Sequence, residues 1–151
     1  MKNKLANWFS TVFKIGYLPI APGTWGSLAA LVLWFLIIES TSTITFIVSI
    51  VIIFILGVYT SNITESILKK KDPSVIVIDE WVGQWIALLF LPKSLLWGLV
   101  AFLFFRLFDI WKPYPIKNLD DMTGGWGIML DDVLAGIYAL VAISLLRAWI
   151  V

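Results

Sequence analysis

The chain has 151 residues, 60% hydrophobic and 14% charged, with a formal net charge of +1 and a mean hydropathy of +0.95. That is room for one domain but too apolar for a soluble core of this size, so an integral membrane protein is expected, and the near-neutral charge points to no nucleic-acid partner. Cysteine and histidine are both absent, which excludes disulfides, thiolate metal sites, a cysteine nucleophile, a phosphohistidine intermediate and an imidazole base.

From the N-terminus, KNKLANWFSTVFKIG sets Leu5, Trp8, Phe9, Val12 and Phe13 at helical spacing among polar residues. This predicts a short amphipathic helix lying on the membrane surface. The basic start, Lys2, Lys4 and Lys14, has no small-residue cleavage site behind a compact apolar stretch, so the chain is expected to be used whole. GYLPIAPGTWGSL then interrupts regular structure, with Thr24 or Ser27 available to cap the next helix.

Apolar runs follow at residues 25–38, 44–60, 76–91, 94–110 and 130–150. The expected fold is all-α: a polytopic membrane helix bundle of about four to five segments, preceded by the amphipathic helix and forming one domain over residues 1–151. The first and third runs are short against the roughly 20 residues of a full span, so they read as tilted, partly re-entrant or lengthened by their flanks. SNITESILKKKDPS reads as a helical extension into water that stops before Pro73.

The basic residues orient the chain. With a cytoplasmic N-terminus and all five runs crossing, Lys2, Lys4, Lys14, Lys69, Lys70, Lys71, Arg106, Lys112 and Lys117 are cytoplasmic, and only Lys93 and Arg147 lie outside. Under that topology Asp79 and Glu80 open the third run, Asp109 closes the fourth, and Asp131 and Asp132 open the fifth, so all five acids meet one face of the bilayer. At about 1.5 Å per residue Glu80 lies roughly 18 Å and Asp109 roughly 25 Å from Pro92, so one antiparallel hairpin brings them to similar depth.

Carboxylates at membrane depth are costly unless something binds them. A set of carboxylates without His or Cys is a hard oxygen site suited to Mg²⁺ or Mn²⁺. Arg106, three residues before Asp109, and Lys112, one turn after it, repel a metal but attract phosphate. The combination fits metal-assisted phosphoryl transfer on an amphiphilic substrate. Gly23 and Thr24 in APGTWGS, and the glycines of TGGWG, offer flexible backbone N–H groups and hydroxyls that could cradle an anion at a helix start.

Plainer readings stand beside these. Each acidic pair also suits a helix start, where Asp caps and negative charge favours the dipole. Arg106 and Asp109 also suit an intrahelical ion pair. KPYPIK also suits a stiff turn, and the tryptophans suit interface anchors. Asp120, Asp121 and Glu65 are expected to be solvated. A divalent-cation transporter would also carry intramembrane acids, but distributed through the depth of the membrane.

GYLPIAPGTWGSLAAL, VIVIDEWVGQWIALLFLP and FRLFDIWKPYPIKNLDD followed by GGWGIMLDDVLAGIYA together resemble the phosphatidylglycerophosphatase A family, in order from about Gly16 to Tyr138. The resemblance implies a multi-pass, Mg²⁺-dependent lipid phosphatase in the bacterial inner membrane, with its active site on the cytoplasmic face. Its substrate would be the lipid phosphatidylglycerophosphate, and its product phosphatidylglycerol. The resemblance also implies roles for Asp79, Glu80, Asp109, Asp131 and Asp132 as catalytic and metal-holding acids, with Lys112 in the family's KP step and Gly23 and Thr24 in its PGT. Direct attack by water and an aspartyl-phosphate intermediate both remain open.

Overall fold

The computed structural model describes residues 2–37 and 40–150. Among them it is all-helical, with seven α-helices: α1 (Lys2–Ser10), α2 (Pro22–Ile37), α3 (Thr43–Leu68), α4 (Ile78–Ala87), α5 (Leu95–Trp111), α6 (Ile116–Asp120) and α7 (Gly124–Ile150). Residues 38 and 39, at and just after the end of the first apolar run, lie outside the described residues.

The local sequence accounts for most boundaries, and several differ from expectation. The N-terminal helix stops at Ser10, because Val12, Phe13 and Lys14 take left-handed backbone, so Val12 and Phe13 are not part of a helical stripe. Pro22 opens α2, a position that suits its fixed φ and missing N–H. Thr24 and Ser27 therefore lie inside the helix and do not cap it, and the Ser27 hydroxyl donates back to the Gly23 carbonyl at 2.9 Å. Ser42 does cap α3, accepting from the Thr45 amide at 3.1 Å. The polar extension of α3 runs to Leu68 and ends in a left-handed Lys69. Before Pro113, Lys112 takes a left-handed conformation that closes α5.

Two departures matter for the site. The third run forms only a 10-residue helix, α4, after which the chain turns through Leu88–Phe90. The fifth run starts six residues early, at Gly124, so Asp131 and Asp132 sit two turns inside α7 and cannot be its caps. The start of α7 is held from outside instead: the Gly125 amide donates to Asn62 Oδ1 of α3 at 2.6 Å.

Helix α7 forms the hub, packing on α3, α4, α5 and α6, while α4 is enclosed by α2, α3, α5 and α7. Nearly all of α4 is buried, including Asp79 and Gln84. Large apolar side chains such as Ile44, Ile55, Leu103 and Leu145 face outward instead. Polar groups inside and apolar groups outside is the arrangement that lipid favours. Helices α3 and α7 are long and apolar enough to cross a membrane, and α2 is a shorter apolar helix.

Candidate active site

The site is set by a close crossing of α4 and α7. Gly83 and Gly136 let the two backbones touch: a β-carbon on Gly136 would fall 2.5 Å from the Gly83 carbonyl oxygen, and one on Gly83 would fall 2.7 Å from that of Asp132. Asp79 lies one turn before Gly83, and Asp132 one turn before Gly136, so the same crossing brings these carboxylates together. Glu80 completes the group, with one oxygen from each of Asp79, Glu80 and Asp132 within 4.8 Å of one another.

The electrostatics of this trio are unbalanced. Asp79 Oδ1, Glu80 Oε2 and Asp132 Oδ2 are each buried without a hydrogen-bond partner. An unpaired buried carboxylate costs several kcal/mol, about 3–5 when a partner is removed from a buried ion pair. Orphaned oxygens on all three members are what a hard divalent cation would satisfy, so the donor set fits one.

Around the trio stand two cations. Arg106 Nη1 donates to Asp109 Oδ2 at 2.5 Å and lies 3.9 Å from Glu80 Oε1, joining the two arms of the α4–α5 hairpin. Lys112 Nζ donates to Asp120 Oδ1 at 2.5 Å and to Asp131 Oδ2 at 2.7 Å, tying the end of α5 to α6 and α7. Burial works against the lysine's charge, but these two hydrogen bonds outweigh it and hold its pKa above the ordinary value. The first turn of α2 backs the other side: a β-carbon on Gly23 would collide with Glu80 Oε1 and sit 3.0 Å from Arg106 Nη1. Thr24 follows it in the same turn and is half-buried.

The sequence-selected residues thus fall into three sets. Asp79, Glu80 and Asp132 form the cluster; Asp109 is engaged by Arg106; and Asp131 faces Lys112. The TGGWG glycines do open a helix, α7, but the Gly125 amide is already taken by Asn62 Oδ1 and a β-carbon on Gly125 would collide with the Val58 carbonyl oxygen, so this helix start is packed against α3. Asp120, expected in solvent, is drawn in by Lys112, and Glu65 accepts from the Asp72 amide at 3.2 Å. Sequence reasoning passed over Gln84, fully buried one turn after Glu80 with both ends of its amide unpartnered. A single polar residue in the run QWIALLF was the available signal.

The family model for phosphatidylglycerophosphatase A matches residues 8–147, which takes in every residue of the site. The chain belongs to the phosphatidylglycerophosphatase A family. Two bacterial relatives carry the family's name. The Haemophilus influenzae protein is 40% identical over 139 residues, covering 91% of this chain and 85% of its own. The Escherichia coli protein is 41% identical over 127 residues, covering 83% and 73%. A Bacteroides thetaiotaomicron protein, 38% identical over 148 residues and covering 93% and 92%, bears the provisional name phosphatidylinositol-3-phosphatase. No solved structure matches the chain significantly. As a member of this family, the chain is an enzyme, a phosphoric monoester hydrolase by class.

Proposed function

We propose that this protein removes the terminal phosphate of phosphatidylglycerophosphate, giving phosphatidylglycerol and inorganic phosphate, in a Mg²⁺-dependent step of bacterial phospholipid synthesis. Family membership supports the substrate, and the observation that carries the site is the trio Asp79, Glu80 and Asp132, each with an orphaned buried oxygen, beside Arg106. Asp79, Glu80 and Asp132 would hold Mg²⁺, with Asp109 and Asp131 as further acids of the site. When bound, the ion supplies Lewis-acid neutralisation of charge on the phosphoryl group.

The remaining work falls to the chain's own groups. Arg106, oriented by Asp109, offers its guanidinium to phosphoryl oxygens, and Lys112, oriented by Asp120 and Asp131, offers a second positive charge. Gly23 lets the first turn of α2 lie against Glu80 and Arg106, where the Gly23 amide and the Thr24 hydroxyl are the groups that could join the two cations, the Thr24 and Trp25 amides being held by the Ala21 carbonyl. The low dielectric of the enclosed bundle strengthens each of these interactions. Attack by water and attack by a carboxylate of the site both fit these groups. Acid quenching with labelled substrate separates them, because a phosphorylated protein band marks the carboxylate route.

We also infer that the chain is one domain with four to five membrane segments (α2, α3, α4, α5 and α7), a cytoplasmic N-terminus and a cytoplasmic-face site in the inner membrane. Helix α4, about 15 Å long, would reach only halfway through a core of about 30 Å. The far end carries the two remaining cations: Arg147 donates to the Phe90 carbonyl at 3.1 Å, close to Lys93 in the α4–α5 turn. One-sided clustering of the acids favours this reading over a cation transporter.

The test is phosphate release by purified protein in detergent, with and without Mg²⁺, from phosphatidylglycerophosphate, phosphatidate and phosphatidylinositol 3-phosphate. Magnesium-dependent release from the first lipid is expected. Release from phosphatidylinositol 3-phosphate alone would move the substrate towards the name of the Bacteroides relative, and release from none of the three would overturn the reading.

A further inference from the structure

The buried polar groups of α4 do not end with the acid trio. Gln84 is fully buried, and neither its Nε2 nor its Oε1 has a hydrogen-bond partner. Buried amides are ordinarily satisfied at both ends, and leaving one orphaned in an apolar interior is costly. A residue that carries this cost without packing better than an apolar one needs a reason to be there.

Its place on α4 points to one. Gln84 lies four residues after Glu80, on the same helix face, and helical side chains lean towards the N-terminus over the preceding turn. The amide is therefore directed at the Glu80 carboxylate. Of the two Glu80 oxygens, Oε1 lies 3.9 Å from Arg106 Nη1, while Oε2 is the buried acceptor without a partner. The neighbouring surface is α2. Gly23 abuts Glu80, and further along the Trp85 indole donates to the Ala30 carbonyl at 2.9 Å, so the two helices advance in the same direction between these contacts. Ser27, fully buried and one turn past Gly23, falls beside Gln84 in that interval. Its hydroxyl donates back to the Gly23 carbonyl at 2.9 Å, a bond within its own helix that one side-chain torsion can exchange for another acceptor.

We propose that Gln84 is a positioning residue for Glu80, its Nε2–H donating to Glu80 Oε2 and its Oε1 accepting from the Ser27 hydroxyl, so that the carboxylate is held in the orientation that binds a divalent cation. Carboxylates that hold metals are themselves held by hydrogen bonds, and loss of such a partner weakens metal binding by about tenfold or more. The inference rests on the metal-holding reading of Asp79, Glu80 and Asp132 above, and adds what orients one of the three. Gln84 touches neither the cation nor the substrate.

A positioning role and a packing role predict opposite results for Gln84→Met, which keeps the length and volume of the side chain but removes both polar atoms. The experiment measures Tm in EDTA, and Mn²⁺ binding by electron paramagnetic resonance of the free ion, on the full chain in detergent. Mn²⁺ suits the same oxygen donors as Mg²⁺. With the orphaned amide gone, the variant is expected to be at least as stable as wild type in EDTA. Its half-saturating Mn²⁺ concentration is expected to rise about tenfold. Ser27→Ala, which removes only the donor to Oε1, is expected to raise it about twofold to threefold. Unchanged Mn²⁺ binding in Gln84→Met, whatever its Tm, would overturn the proposal, as would a variant that loses stability or fails to fold in EDTA, since the amide would then be serving the bundle itself. Unchanged binding in Ser27→Ala would overturn the serine contact. Folded wild-type protein that takes up no Mn²⁺ would instead defeat the metal-holding reading on which the role of Gln84 depends.

Discussion

Gly83 on α4 and Gly136 on α7 are in backbone contact, and the two helices run the same way from that crossing, so Asp79 and Asp132 meet one turn nearer their N-termini. The distance between the carboxylates is therefore fixed by the absence of two side chains. Gly136→Ala would force its β-carbon against the Gly83 carbonyl, which cannot swing away as a flexible side chain could. The variant should lose about 1–3 kcal/mol of stability, the usual cost of overpacking, and should also bind divalent cations more weakly. Thermal unfolding in detergent with and without Mg²⁺ reads both effects.

The division of the acids predicts a division among their variants. Mg²⁺ should raise the Tm of the wild type, because a ligand that binds the folded state alone stabilises it, and Asp79→Asn, Glu80→Gln and Asp132→Asn should each abolish or sharply reduce that rise. Asp131→Asn, whose carboxylate faces Lys112 at 2.7 Å, should keep most of that rise. Equal loss across all four would show that Asp131 is a ligand as well.

Much of this was legible in the sequence, and the reasons differ by residue. Asp79 and Glu80 stood out because a charged pair inside VIVIDEWVGQWIALLFLP has no reason to be there without a partner. The shared helix face of Arg106 and Asp109 followed from their spacing. The extent of α4 did not, because burial by neighbouring helices and burial by lipid select the same apolar residues, and residues 76–91 look alike under either. The sorting of five acids into a trio and two ion pairs depends on the Gly83–Gly136 register, which no local pattern reports. Asp120 looked solvated because its partner, Lys112, reaches it only after the chain turns at Pro113–Pro115.

Arg106 meets both Glu80 and Asp109 through Nη1, while its Nε is buried without a partner, so the guanidinium keeps further N–H donors for phosphoryl oxygens that lysine does not have. Arg106→Lys should lower kcat about 10²-fold or more if the guanidinium stabilises charge developing on phosphate. Asp109→Asn should cause a smaller loss, since it frees the guanidinium without removing it. Steady-state kinetics on the two variants decide the order, and the reverse order would assign the chemistry to Asp109.

Lys112 should remain charged wherever the enzyme can be assayed. Its folded pKa lies above the unfolded value, so the stability it contributes is fully present below the unfolded pKa of about 10.4 and is lost only as pH rises through the folded pKa. The expected result is an activity profile whose alkaline limb is the same in Lys112→Arg as in wild type. A limb displaced in the variant would show that Lys112 itself titrates there.

The most direct test of the central claim is the Mg²⁺ concentration dependence of phosphate release from phosphatidylglycerophosphate, in wild type and in Asp132→Asn. The account predicts saturable dependence in the wild type and a half-saturating concentration at least about tenfold higher in the variant, the scale of losing one charged ligand at about 1.4 kcal/mol or more. Superimposable curves, or release that ignores Mg²⁺, would contradict it.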